Sequence, residues 1–158
     1  MKPIIKNILI GASLLLVGFA VYGKQKVSQI QAIFDQMTIK PVGFSNVNFS
    51  IKAATLSLNL DIKLSNNTVD GLYVTGLSLA SLDRLIIYYK GILLGEANVN
   101  IGEISIPAYS YIVLNDIPVT VDAINILDQG LALLSFNIND LTIVGEISAL
   151  GTTYQIAN

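Results

Sequence analysis

The sequence predicts an all-β, antiparallel sandwich preceded by an N-terminal transmembrane helix that continues as a stalk. Three observations predict it. A charge-free apolar run lies near the N-terminus, a strictly alternating segment begins at Thr55, and turn signals recur from there at intervals of roughly 8 to 12 residues. The implied division is 1–39 for helix and stalk and 40–158 for the sandwich.

Between Lys6 and Lys24 lie 17 residues without a charge. As a helix they rise about 25 Å, slightly short of a hydrocarbon core of roughly 30 Å. Ile8, Leu9, Ile10, Leu14, Leu15, Leu16, Val17, Phe19 and Val21 supply the apolar surface, and Tyr22 takes an interfacial position. Lys6 and Lys24 extend their stems to close the gap. The competing reading is a cleaved signal peptide, with Lys2 and Lys6 as its basic start and Val21-Tyr22-Gly23 as its cleavage site. Beyond the membrane the pattern continues as a helix. Val27, Ile30, Phe34 and Met37 are spaced 3, 4 and 3, and the same stripe runs back through Gly23 and Ala20. Such a stripe suits helix contact in an oligomer, or packing on the chain's own β domain or the headgroup surface. The helix is expected to run from about Pro3 to Thr38, because the residue before Pro41 avoids the α region.

Thr55 to Asn66 alternates Leu56, Leu58, Leu60, Ile62 and Leu64 with Ser57, Asn59, Asp61, Lys63 and Ser65, the period of a strand with one buried face. Asn66-Asn67 reads as the turn that ends it. Further strands are expected over Gly71–Leu79, Arg84–Tyr89, Glu96–Ile106 with a bulge at Gly102, Tyr109–Leu114, Ile117–Val121, Leu141–Ser148 and Thr152–Ile156. Lys90-Gly91, Asn115-Asp116 and Leu150-Gly151 are the turns between neighbours. Ala123–Leu134 reads as a short helix or loop, weakened by Gly130.

Composition excludes much chemistry. The 158 residues contain no cysteine and no histidine, which removes thiolate nucleophiles, sulfur-based zinc sites and every Ser/His or Cys/His arrangement. From Val27 onward five cations face eleven acids, a net of −6, so no electrostatic footprint for a nucleic-acid backbone exists. Asp70, Asp116 and Asp140 all occupy turn positions, and no calcium-loop spacing occurs. Arg84, the one arginine, reads as a solvated strand edge rather than an anion site. Tyr73, Tyr88, Tyr89, Tyr109 and Tyr111 suit the border between core and water, or a binding surface. Asn48-Phe49-Ser50 and Asn66-Asn67-Thr68 match the glycosylation acceptor pattern. A carboxylate pair of the glycosidase kind is not singled out by any spacing. The expectation is therefore no enzyme, no cofactor, no metal and no catalytic residue.

Several features recur in an order that resembles a known family. They are Pro41-Val42-Gly43-Phe44, the alternating LSLNLDIKL, Asp70-Gly71-Leu72, Tyr88-Tyr89-Lys90-Gly91 with Leu94-Gly95, Ile106-Pro107-Ala108, Ile117-Pro118-Val119-Thr120-Val121, and Val144-Gly145-Glu146-Ile147 ahead of Tyr154. This pattern is similar to the late embryogenesis abundant (LEA) type 2 domain, also called the water stress and hypersensitive response (WHy) domain, from about Lys40 onward. The resemblance implies an immunoglobulin-like or fibronectin-like β-sandwich, non-enzymatic, often behind a single membrane helix. Asn66-Asn67 departs from the family's Asn-Pro.

The expected role is a structural or binding module anchored at a membrane, with the β domain on the extracytoplasmic side. Its partners would be the lipid bilayer and a protein, or a second copy, met through the helix stripe or the sandwich surface. The alternative is an anchored structural component of a lipid-containing virion, in the virion membrane.

Overall fold

A computed structural model describes residues 27–50, 52–72, 80–122 and 137–157. The chain divides into two compact units, Met1–Ala32 and Ile33–Asn158. Residues 27–34 are helical. Among its described residues the second unit holds seven strands: β1 (Met37–Ser50), β2 (Thr55–Asn66), β3 (Ser81–Tyr89), β4 (Ile92–Ile101), β5 (Ser110–Asp122), β6 (Leu141–Ala149) and β7 (Thr152–Ala157). They form two antiparallel sheets, ordered β1-β2-β5 and β4-β3-β6-β7.

β2 is the plainest case of sequence setting structure. Leu56, Leu58, Leu60, Ile62 and Leu64 are all buried, while the residues between them are half-exposed. Alternation also buries Leu85, Ile87 and Tyr89 on β3, with Leu82 buried across a register shift at Asp83, and Leu141, Ile143 and Ile147 on β6. The two sheets share one apolar interior. A Cβ on Gly145 of β6 would sit 3.0 Å from Ile39 Cδ1 of β1, and one on Gly95 of β4 would sit 3.0 Å from Val121 of β5.

Both tight hairpins follow from a residue-glycine pair. Lys90 (φ 48°) and Gly91 (φ 80°) join β3 to β4, and Leu150 (φ 52°) and Gly151 (φ 74°) join β6 to β7. Two successive left-handed residues match the twist of the flanking strands, and glycine takes the second position without strain.

Four expectations are corrected. The helix does not reach Thr38: its described part ends at 34, and Met37 is already in β1, opposite Asn66. Met37 and Ile39 are buried while Thr38 is half-exposed and Lys40 exposed, so a period of two takes over from the helical spacing. Asn115-Asp116 is not a turn between two strands. β5 runs through it as a bulge opposite Asp61, with Asp116 at φ 55°. The Glu96–Ile106 strand begins earlier and stops at Ile101, with its register shifts opposite Asp83 and between Leu93 and Gly95 rather than at Gly102. Beyond it, Ile106 makes only an isolated bridge to Leu72. Finally, Asn66 does not leave the strand but closes it, buried at 1% exposure. The expected strand beyond Leu72 and the segment Ala123–Leu134 lie outside the described residues.

Candidate functional site

Asn66 occupies the next inward position after Leu64, so the alternation of β2 carries a polar side chain into the interior. Its amide is fully used. Nδ2 donates to the carbonyl oxygens of Asp70 (2.8 Å), Ile106 (3.3 Å) and Pro107 (3.2 Å), and Oδ1 accepts from the Thr68 backbone amide at 3.0 Å. The buried Thr68 hydroxyl lies 2.7 Å from Asn66 Oδ1 and 2.8 Å from the Asp70 carbonyl, giving its proton to one or the other. This clasp ties the turn after β2 to the segment before β5, since Leu72 and Ile106 exchange backbone hydrogen bonds beside it. A glycan cannot be carried by an Asn so enclosed; Asn48, on the exposed part of β1, is not so restricted.

Across the outer face of the four-stranded sheet runs a polar ladder. Arg84 stands on β3, an inner strand, which corrects the expectation of a strand edge. Its Nε donates to Glu146 Oε2 of β6 at 2.8 Å and a terminal nitrogen to Glu96 Oε2 of β4 at 2.7 Å. Gln155 of β7 donates to Glu146 Oε1 at 3.1 Å. The Arg84 hydrogen bond, then that from Gln155, hold the Glu146 carboxyl below its ordinary range, and Glu146 in turn raises the guanidinium. Beside the ladder Asp83 accepts from Ser81 at 2.6 Å and from Ser148. These acids are spent on cross-strand pairing, the sheet's own means of stabilisation.

On the outer face of the other sheet Asp61 accepts from the Asp116 amide at 2.8 Å, and a Cβ on Gly43 would meet Asp61 Oδ2 at 2.8 Å. The carboxylate thus sits across two register shifts, at Val42 on one side and Asn115-Asp116 on the other. Lys40 and Lys63 stand directly opposite each other two rows away, and Lys63 Nζ lies 4.0 Å from the centre of the Tyr111 ring. Among the described residues neither lysine is in an ion pair.

Of the predicted site residues, Lys6, Ile8, Leu9, Ile10, Leu14, Leu15, Leu16, Val17, Phe19, Val21, Tyr22 and Lys24, with Ala20 and Gly23 of the stripe, lie outside the described residues. No helix among the described residues is long and apolar enough to cross a membrane. The rest of the stripe is divided. Phe34 and Met37 are buried in the β unit, where Phe34 stacks on Tyr154 with ring centres 4.5 Å apart, while Val27 is exposed and Ile30 half-exposed. Ile33, which the stripe omitted, is buried beside Phe34 in the chain. Of the tyrosines, Tyr89 is buried and Tyr109 and Tyr111 are exposed. No cluster of acidic or other donor side chains suited to a metal ion occurs among the described residues.

No family model matches this sequence, and no curated protein matches it. Solved structures of similar shape include a structural-genomics target designated SoR45, at 12% identity and a TM-score of 0.39, covering 79% of this chain and 83% of that one. A protein from Archaeoglobus fulgidus aligns at 8% identity and a TM-score of 0.36, covering 75% of this chain and 94% of its own. The solution structure of a candidate late embryogenesis abundant protein aligns at 12% identity and a TM-score of 0.29, covering 85% and 83%.

Proposed function

We propose that this chain is a non-enzymatic, single-pass membrane protein that presents an immunoglobulin-like or fibronectin-like sandwich of the LEA type 2 kind at a membrane surface, as a structural or binding module. The observation that carries the reading is the join of a charge-free 17-residue run, bracketed by Lys6 and Lys24, to an all-β body. The fold supports the finer form through its strand order: β1, β2 and β5 in one sheet, β3, β4, β6 and β7 in the other, with the chain changing sheets after β2, β4 and β5. The motif series from Pro41 to Tyr154 supports the family resemblance.

Lys2 and Lys6 ahead of the run favour an N-terminus on the cytoplasmic side and the sandwich on the other. Alkaline carbonate extraction tests the anchor, which stands if the intact chain stays with the membrane and falls if it is released. Protection of the β unit from added protease in sealed, oriented vesicles then tests the side.

A further inference from the structure

We infer that the end of the sandwich at which the chain comes in rests on an anionic lipid headgroup layer, through a tip formed by Val69 and Tyr109 and a flank formed by Lys40, Lys63 and Tyr111. The inference rests on the anchored reading and assigns the surface by which the domain meets its bilayer.

Three independent features converge on that end. The first is where the chain arrives: Met37 pairs with Asn66, the last residue of β2, and Asn67 Nδ2 donates to the Gln36 carbonyl at 3.0 Å. The turn over residues 67–70 is thus fastened to the arriving strand. The second is apolar exposure. Tyr109 at 72% and Val69 at 70% are the most exposed large apolar side chains described, followed by Tyr111 at 57%. Tyr109 and Val69 are brought side by side by the Tyr109 amide, which donates to the Thr68 carbonyl at 3.1 Å. Tyr109 is held there in a left-handed conformation, φ 49°, which a tyrosine adopts only where its surroundings impose it.

The third is charge. Lys40 and Lys63 are juxtaposed across β1 and β2, an arrangement that costs stability and that no ion pair among the described residues relieves. Within the fold Lys63 is met by the Tyr111 ring at 4.0 Å. Asp35, Asp70 and Glu103 lie toward this end, and the two lysines offset two of the three in a body whose net from Val27 onward is −6. Paired lysines lower the repulsion that an acidic domain meets at an anionic leaflet. Tyrosines with a ring in the acyl boundary and a hydroxyl among headgroups, beside lysines that reach phosphates, make an interfacial set.

The absence of cysteine permits a direct test with single introduced labels. Full-length chain carrying Val69→Cys is labelled with a fluorophore and reconstituted into phosphatidylcholine/phosphatidylglycerol vesicles containing a headgroup-borne quencher. Ala53→Cys, in the turn at the opposite end of β2, is the control. The label at 69 is expected to be quenched several-fold more than that at 53. Lys40→Glu with Lys63→Glu, or vesicles of phosphatidylcholine alone, should reduce the difference sharply with carbonate retention unchanged. A retained chain whose two labels are quenched alike overturns the inference and leaves the anchor standing. A chain released by carbonate overturns both.

Discussion

Asn66 holds Asp70 by a 2.8 Å hydrogen bond from its side-chain amide to the aspartate's backbone carbonyl, so the turn leaving β2 is closed by a side chain that points into the core. Asn66→Ala would leave the Thr68 amide and the Pro107 carbonyl without their partner, while the Ile106 carbonyl keeps the Leu72 amide and the Asp70 carbonyl keeps the Thr68 hydroxyl. Each buried polar group so orphaned costs on the order of 1–3 kcal/mol, with relaxation recovering part, so a loss of about 3 kcal/mol is expected. Asn66→Asp should be no better, because a carboxylate faces those carbonyls with no proton to give. Urea denaturation followed by circular dichroism measures both.

Glu146 titrates below its ordinary range because Arg84, and then Gln155, donate to its charged form. A depressed folded-state value means stability that is present above the unfolded glutamate range and is lost as pH falls through the folded value. Glu146→Gln keeps an acceptor for Arg84 but removes the titration. The native chain should therefore lose stability relative to Glu146→Gln as pH is lowered from neutrality into the acid range. A difference that stays constant over that range would refute the linkage. Arg84, raised by the same contact, stays charged throughout.

Replacing one of the opposed lysines with an acid should stabilise the fold. Lys40→Glu converts a like-charged cross-strand pair with Lys63 into an attractive one, a gain of up to about 1 kcal/mol at low ionic strength. The gain should shrink at high salt, as exposed charges are screened. Denaturation midpoints at two salt concentrations decide it.

Gly145→Ala would bring a methyl within 3.0 Å of Ile39 Cδ1, 3.2 Å of Leu82 Cδ1 and 3.3 Å of Ile156 Cγ1. The first two are side-chain tips that can yield and the third is the inner methylene of Ile156, so a cost of about 1–2 kcal/mol is expected, rising with Gly145→Val. Phe34→Ala removes a buried ring stacked on Tyr154 and should cost about 3–4 kcal/mol, although Phe34 precedes the first strand.

The sequence foretold the elements whose signals are local. β2 is written in its own alternation, and both hairpins in a residue-glycine pair between apolar runs. The Asn66 clasp was legible in the same way, because residues 56, 58, 60, 62, 64 and 66 share one phase and the sixth must point inward with the other five. Reading Asn-Asn as a turn concealed it. Asn115-Asp116 misled for a related reason: bulges and turns both use residues that tolerate positive φ, and only the partner strand distinguishes them. The Arg84 ladder and the Lys40/Lys63 pair depend on register between strands, which no local pattern encodes. The stripe from Val27 to Met37 spans a change of period, so a single spacing fitted two different structures.

The placement of β2 between β1 and β5 also bears on the order of assembly. β1 precedes it across a short turn, but β5 begins only at Ser110, after β3 and β4, and Ser57 meets Thr120 across a separation of 63 residues. Loop-closure entropy is lost before that contact repays it, as in other β topologies rich in distant pairings. The nascent β1–β2 hairpin therefore waits with Leu56 to Leu64 uncovered on one face and an open hydrogen-bonding edge. Refolding should be slow, in the millisecond-to-second range, and that hairpin is the segment most exposed to misassembly while the second half of the domain is still being made.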